Sequence, residues 1–388
     1  MEFFRNPNFD FLGRKKIFVT LTVIFMAAGV ISLATRGLNY GIDFRGGADV
    51  VLRFAQEPSI DQVRDALSRE GLGGAQIQKL ILSDNPGAHD LLVRVPPQEG
   101  SQEPTGVESD VSGKILAALR AGLAGTQAPG KVDLNLAGPA EMRRGMALSF
   151  PGQEAMVEAA VSAVAAYRTA HDGLISSVEE ACQAPGVSPE AAGWLRDNAT
   201  VGPFAIRSVD YVGPSVGAEL KRRAMYAVIG SLIAMLIYIW FRFEKLAYGV
   251  SAIITLVHDA LVALGAVSLT QKEFDLTVLA AVLTIVGYSI NDTIVIFDRV
   301  RENLQHRRGG NLEKLFNTSI NQTLSRTILT VALVMTTVLT LWLFGGSRLN
   351  PFSFTLLVGI ISGSYSTIYV SSPIVIWWTN LVEKRARA

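Results

Sequence analysis

Hydrophobic and polar positions fall into two regimes along the chain. Ile17–Ala34 is apolar, broken only by Thr, Ser and one Gly. From residue 224 the sequence turns apolar again, in runs at about 224–241, 246–269, 276–297, 327–344 and 353–379. A helix crosses the hydrocarbon core with about 20 residues, so the pattern predicts six spans. The last run exceeds one span and is accommodated by tilt or protrusion. The rival reading of residues 17–34 is a cleaved signal peptide. The run is longer than a signal core of about 7–15 residues, and Thr35-Arg36-Gly37 makes a poor cleavage site.

Residues 35–223 read as water-soluble. A turn-rich stretch, 37–47, leads into Ala48–Phe54, which alternates as a half-buried strand does. Ser59–Arg69 reads as a helix capped by Ser59, with Ile60, Val63, Ala66 and Leu67 on one face. Ala75–Leu82 and Leu91–Val95 read as strands around the turn cluster 83–87. A polar loop, 96–106, a helix near Val111–Leu123 and a last strand, Phe204–Val212, complete the split-βαβ order of a ferredoxin-like module. Residues of about 130–202 do not fit that module and read as an inserted helical subdomain: Glu154–Thr169, Leu174–Gln183 and Pro189–Asn198. Residues 178–192 superficially resemble a DNA-binding helix-hairpin-helix. An ordinary helix pair with Ser188 as N-cap explains them better, and no nucleic-acid partner is expected.

The expected fold class is therefore a polytopic α-helical membrane protein with six transmembrane helices plus an extracytoplasmic α+β (ferredoxin-like) domain carrying a helical insertion. Its expected parts are residues 1–16 as a cytoplasmic N-terminus, 17–34 as the first transmembrane helix and 35–223 as the periplasmic domain. Residues 224–379 form a five-helix bundle and 380–388 a cytoplasmic tail. The orientation rests on basic residues in short loops. Arg242 and Lys245, the loop 298–326, and Lys384, Arg385 and Arg387 share the side of the N-terminus, while the opposite short loops hold only Lys272 and Arg348. Lys221-Arg222-Arg223 runs against this count and is expected at the interfacial end of a helix. Leu312, Leu315, Phe316, Ile320 and Leu324 recur at helical spacing, as in an amphipathic helix on the membrane surface.

Composition narrows the chemistry. Of 388 residues 49% are hydrophobic, so soluble and membrane regions coexist, and a net charge of +1 implies no bulk attraction to nucleic acid. The lone Cys182 excludes an intrachain disulfide and a cysteine metal site. Four histidines without a His-Glu-x-x-His pattern give no zinc-protease signature. No metal, no cofactor and no enzymatic activity is expected.

The candidate chemistry lies within the spans. Asp292 sits inside the run that begins near Leu276, where a carboxylate costs roughly 2.5–3.5 kcal/mol or more. Thr284, Tyr288, Asn291 and Asp292 share one helical side, and Ser251, Thr255, His258 and Asp259 repeat the device one span earlier. Arg326 stands where the fifth span begins. One reading is a proton relay in which Asp292 loads and releases a proton with Arg326 as countercharge. The other is structural: a hydrogen bond or ion pair for Asp292, a snorkelling anchor for Arg326, and a satisfied polar pair at His258-Asp259 tying helices together. Gly359, Ser362, Gly363 and Ser366 form a small-residue stripe suited to close helix packing.

Six landmarks carry a family resemblance. They are Gly41-Ile-Asp-Phe-Arg-Gly-Gly47, Val212-Gly-Pro-Ser-Val-Gly-Ala-Glu-Leu220, Tyr238-Ile-Trp-Phe-Arg-Phe243, Leu256-Val-His-Asp259, Gly287–Glu302 and Ser325-Arg-Thr327. In this order, around one large loop between the first two spans, the chain resembles the SecF family. That family belongs to the SecD–SecF accessory complex of the Sec protein translocase, in the resistance-nodulation-division superfamily. The resemblance covers nearly the whole chain apart from about 130–202. It implies half of a pseudo-symmetric proton-driven machine in the bacterial inner membrane. SecD would be the other half, and the SecYEG channel, an exported unfolded polypeptide and other accessory membrane subunits its partners. It maps the family's intramembrane aspartate onto Asp292 and its functional arginine onto Arg326; the helical spacing, not the resemblance, offers Asn291, Tyr288, His258 and Asp259 as supporting polar groups. The alternatives are a half-transporter for small molecules or lipids and a structural assembly subunit without proton coupling.

Overall fold

The computed structural model describes residues 7–80, 88–96, 107–123, 130–243, 246–306 and 311–387. The turn expected at 83–87, nearly all of the loop 96–106, and Lys245, Arg307 and Arg308 lie outside them. A short 3-10 turn, Leu12–Arg14, leads into helix α1 (Lys15–Thr35), followed by β1 (Asn39–Tyr40), α2 (Ile42–Arg45) and β2 (Gly47–Phe54). Then come α3 (Ile60–Arg69), β3 (Gln76–Leu80), β4 (His89–Val95), α4 (Val107–Leu123), β5 (Val132–Asp133) and α5 (Pro139–Ala147). Next are α6 (Glu154–Ala170), α7 (Val178–Cys182), α8 (Pro189–Asn198), β6 (Ala199–Thr200) and β7 (Phe204–Val212). The rest is α9 (Pro214–Phe243), α10 (Leu246–Thr270), β8 (Glu273–Phe274), α11 (Leu276–His306), α12 (Leu312–Phe344), α13 (Gly346–Ser366) and α14 (Ser372–Arg387). The chain divides into two compact units, Met1–Phe44 with Glu219–Ala388, and Arg45–Ala218.

Among the described residues, six helical stretches, centred on the first unit, are long and apolar enough to cross a membrane. They outrun the apolar runs that predicted them, because polar residues at their ends still favour helix. Helices α10, α11 and α13 pack on one another, α1 packs on α10, and α12 packs on α11 and α13. Gly359 permits the closest approach of α13 to α11: a Cβ there would lie 2.1 Å from Ile285 Cδ1.

One local expectation is corrected. The amphipathic stretch beginning at Leu312 leads into the fifth span as expected, but its apolar face packs on protein rather than on a membrane surface. The stretch is the first part of α12, capped by Asn311, whose side chain accepts from Glu313 N. Leu315, Phe316 and Ile320 join a buried cluster with Leu12, Phe297 and Val300. The last span is not one plain helix. A π-helical turn at Thr367–Ser371 separates α13 from α14. Pro373 lies two residues beyond it and lacks the N–H that would continue the ladder. Ser251 Oγ donates to the Ser371 carbonyl at 2.7 Å.

The second unit holds a four-stranded antiparallel sheet in the order β3-β4-β2-β7. This is the ferredoxin-like arrangement, with β4 inserted between β2 and β3. Val50, Leu52 and Phe54 of β2 and Leu91, Val93 and Val95 of β4 point to one face, where Val63 and Leu67 of α3 and Ile115 and Leu119 of α4 close the core. Ser59 occupies the N-cap position of α3 but makes no side-chain cap bond. The other face carries charge in register. Asp49 pairs with Arg94 through two 2.8 Å bonds, and Arg53 pairs with Asp90 through bonds of 2.8 and 2.7 Å.

Residues 130–202 form a second core around Met142, Met146, Val161, Trp194 and Leu195. Ala181, Cys182, Ala191 and Ala192 are buried in it, so α7 and α8 spend their apolar sides on packing. Ser188 caps α8, accepting from Ala191 N. The turn after α6 reaches the sheet: the Asp172 carbonyl accepts from Arg53 Nη1 at 3.1 Å.

Candidate functional site

The apolar bundle encloses two aspartates with opposite surroundings. Asp259 of α10 is fully buried. His258 Nδ1 lies 3.0 Å from its Oδ1. Ser362 Oγ donates to Oδ1 at 2.6 Å, and Ser289 and Ser366 donate to Oδ2 at 2.6 and 2.8 Å. A carboxylate offers about four lone-pair sites, and here four groups face them. The serines come from α11 and α13, so one side chain of α10 ties three helices together. His258 Nε2 is buried with no hydrogen-bond partner among the described residues. The polar side of α10 is buried throughout: Ser251, Thr255, His258 and Asp259 are all under 7% exposed.

Asp292 of α11 is 4% exposed. Unlike Asp259, it has no hydrogen bond and no ion pair within 4 Å among the described residues. One helical turn earlier on the same helix, the Tyr288 hydroxyl is buried without a partner, near Thr330 but short of hydrogen-bond geometry. Thr330 directs its own hydroxyl to the carbonyls of Arg326 and Thr327. Arg326 is exposed on α12. It makes no ion pair with Asp292 among the described residues, and its charge acts on that carboxylate only across space.

The structure thus groups the predicted residues in two sets. His258 and Asp259 join Ser289, Ser362 and Ser366; Asp292 joins Tyr288, with Arg326 at a distance. The expected stripe on α11 is split, since Thr284 and Asn291 are exposed, Tyr288 is half-buried and Asp292 is buried. The serines were missed as site residues. Their signal was the i, i+4 pair Ser362 and Ser366 within the small-residue stripe. Asp298, at the end of the apolar run, pairs with Arg242 at 2.8 Å.

The arrangement is suited to protons. A satisfied carboxylate holds helices, whereas an unpartnered one in an apolar span costs roughly 2.5–3.5 kcal/mol or more and is usually kept for ion or proton movement. Among the described residues, no three His, Cys, Asp or Glu side chains are grouped to hold a metal ion.

Comparison with known proteins agrees with these landmarks. Residues 195–381 match the family described as protein export membrane protein SecD/SecF, C-terminal, and residues 31–58 match the SecD/SecF GG motif. The protein translocase subunit SecF of Koribacter versatilis is 38% identical over 97% of this chain and 93% of its own. That of Desulfurispirillum indicum is 36% identical over 95% and 91%. The crystal structure of SecDF, a translocon-associated membrane protein from Thermus thermophilus, superposes with a TM-score of 0.65 at 29% identity, covering 97% of this chain. A SecDF structure in a super-membrane-facing form gives 0.57 at 28%. This chain spans 39% and 41% of those two longer chains. With 36–38% identity over nearly its full length to SecF subunits and both family segments in place, the chain belongs to the SecF family of protein translocase subunits.

Proposed function

We propose that this chain works with SecD as the proton-driven accessory subunit of the Sec translocase, promoting late export of unfolded polypeptides delivered through SecYEG. Its work is transport rather than catalysis of a covalent step. The observation that carries the reading is Asp292: a carboxylate 4% exposed inside an apolar helix, with no hydrogen bond or ion pair among the described residues. A merely structural aspartate would resemble Asp259. Arg326 is the countercharge; Tyr288, Asn291, His258 and Asp259 are supporting groups. Both termini face the cytoplasm of a bacterial inner-membrane protein and the Arg45–Ala218 unit faces the periplasm, supported by the basic residues in the short loops on the side of the N-terminus.

The driving force is adequate. One proton crossing 100 mV releases about 2.3 kcal/mol, and a pH unit adds about 1.4 kcal/mol. Together they bias a two-state equilibrium several-hundred-fold, enough to carry a domain from about 5% to about 95% in one state. The test is export in membrane vesicles holding this chain and SecD, with ATP, with and without an imposed proton gradient. The gradient should speed late translocation for the native chain and not for Asp292→Asn. An equal response in both would make Asp292 a structural residue and end the relay reading.

A further inference from the structure

Helix α11 carries Asp292, and its N-terminus is held twice. Asp275 caps it locally, its Oδ1 accepting from Val278 N at 2.8 Å. The first helical N–H, that of Leu276, donates to Asp43 Oδ2 at 2.9 Å, from 233 residues away in sequence. A helix N-terminus favours carboxylates, but Asp275 already meets the capping need. The bond to Asp43 adds connection rather than helix.

The segment around Asp43 is fastened to the connection between α10 and α11 along its length. Ser268 Oγ donates to the Gly37 carbonyl at 2.7 Å. Strands β1 and β8 pair in parallel, Asn39 with Glu273 and Tyr40 with Phe274. Gly41 N donates to the Phe274 carbonyl at 2.9 Å, and the Phe44 and Phe274 rings stack at 5.4 Å. Three residues past Asp43 the backbone enters the left-handed region, with φ of 76° at Gly46 and 121° at Gly47, where β2 begins. A Cβ on Gly46 would meet Pro214 Cα at 2.9 Å, so this turn admits only glycine.

We propose that Asp43 is the positioning residue through which displacement of α11 is delivered to β2. Helix α11 runs without a proline from Leu276 to His306, so it moves as a rod. Asp292 lies about 24 Å along it from Leu276 at 1.5 Å per residue. The far end of the rod is bonded to Asp43, and the covalent chain from Asp43 reaches the central part of the sheet within a few residues. This inference rests on the proton-relay reading of Asp292 and names where that relay leaves the bundle.

The experiment uses the same vesicles, with two readouts: gradient-dependent export and proton uptake followed by a pH-sensitive dye. Asp43→Ala removes the acceptor. Leu276→Pro removes the donor from the other side, at the first helical position, where proline is accommodated. Asp43→Asn keeps an acceptor oxygen. Both disconnecting variants should take up protons at the native rate yet lose the export acceleration, while Asp43→Asn keeps at least half of it. Retained acceleration in Asp43→Ala and Leu276→Pro overturns the inference and leaves the relay standing. Joint loss of proton uptake and acceleration also overturns it, because Asp43 then only supports the helix. If Asp292→Asn responds to the gradient as the native chain does, the relay reading fails first and the inference with it.

Discussion

Ser289 Oγ donates to Asp259 Oδ2 at 2.6 Å, and Asp292 lies three residues further along the same helix. The satisfied carboxylate therefore sets the position of the unsatisfied one. Through Ser289 it fixes the register of α11 against α10, and through Ser362 and Ser366 that of α13. The two aspartates differ in their surroundings, one bonded across three helices and the other buried without a hydrogen-bond partner among the described residues.

Removing Asp259 should therefore cost more than removing any one of its donors. Asp259→Ala takes the acceptor from the buried Ser289 and Ser362 hydroxyls, at about 1–3 kcal/mol for each group left unsatisfied, and leaves Ser366 only the Gly363 carbonyl at 3.2 Å. Ser362→Ala leaves the carboxylate three of its four neighbours. Thermal unfolding in detergent should place Asp259→Ala several degrees below Ser362→Ala, with both below the native chain. Equal melting points for all three would show that the cradle does not hold the helices.

Close packing of α13 on α11 makes a paired test. Gly359→Ala places a Cβ among three Ile285 carbons, all within 3.0 Å. Overpacking of this kind costs about 1–3 kcal/mol. Ile285→Ala alone opens a cavity and also destabilises. Combined with Gly359→Ala it should recover part of the loss, because the added methyl enters the space vacated. Strict additivity in the double variant would rule out the contact as the source of the strain.

How legible this was in the sequence depended on the range of the interaction. The spans and the ferredoxin-like strands follow from local periodicity, so Phe204–Val212 stands where alternation places it. Asp292 was legible because a charge in an apolar run is a local anomaly. The serines around Asp259 were not. Ser289, Ser362 and Ser366 are each ordinary within their helices and acquire meaning only when α11 and α13 meet α10. The bond from Leu276 to Asp43 is hidden for the same reason, and β1 and β8 are two residues each, too short to show a period. The amphipathic start of α12 has an unambiguous pattern, but the pattern does not say whether lipid or protein covers the face.

In the ferredoxin-like sheet, Arg53 and Asp90 are directly opposed across β2 and β4 and both nearly fully buried. Arg207 Nη1 also lies 3.7 Å from Asp90 Oδ2, so removing Arg53 leaves the buried carboxylate one longer ion pair, at a cost below the about 3–5 kcal/mol of a fully uncompensated charge. Arg53→Met should still destabilise the chain measurably, by limited proteolysis or thermal unfolding. The double variant Arg53→Met with Asp90→Leu should recover most of that loss, since an apolar pair of similar size needs no solvation. Arg53 also donates to the Asp172 carbonyl, so both variants should loosen the turn after α6. A single variant as stable as the native chain would show that the pair carries no net weight.

The segment before α1 is held on α12 by two asparagines that imitate a neighbouring strand. Phe9 N donates to Asn321 Oδ1 and Phe11 N to Asn317 Oδ1, both at 2.9 Å. The Phe9 carbonyl accepts from both side-chain amides, at 2.8 Å from Asn321 and 3.0 Å from Asn317. Lys15 adds an ion pair to Glu313. Each amide thus supplies a donor and an acceptor, which no aliphatic residue of similar size can do. Replacing both asparagines with leucine should free the Phe9 and Phe11 amides while leaving α12 intact, because leucine is the better helix former. Hydrogen exchange should then show faster exchange confined to residues 8–12, by about tenfold for each 1.4 kcal/mol of protection lost. Unchanged exchange there would mean that the buried Leu12, rather than the asparagine clamp, anchors the segment.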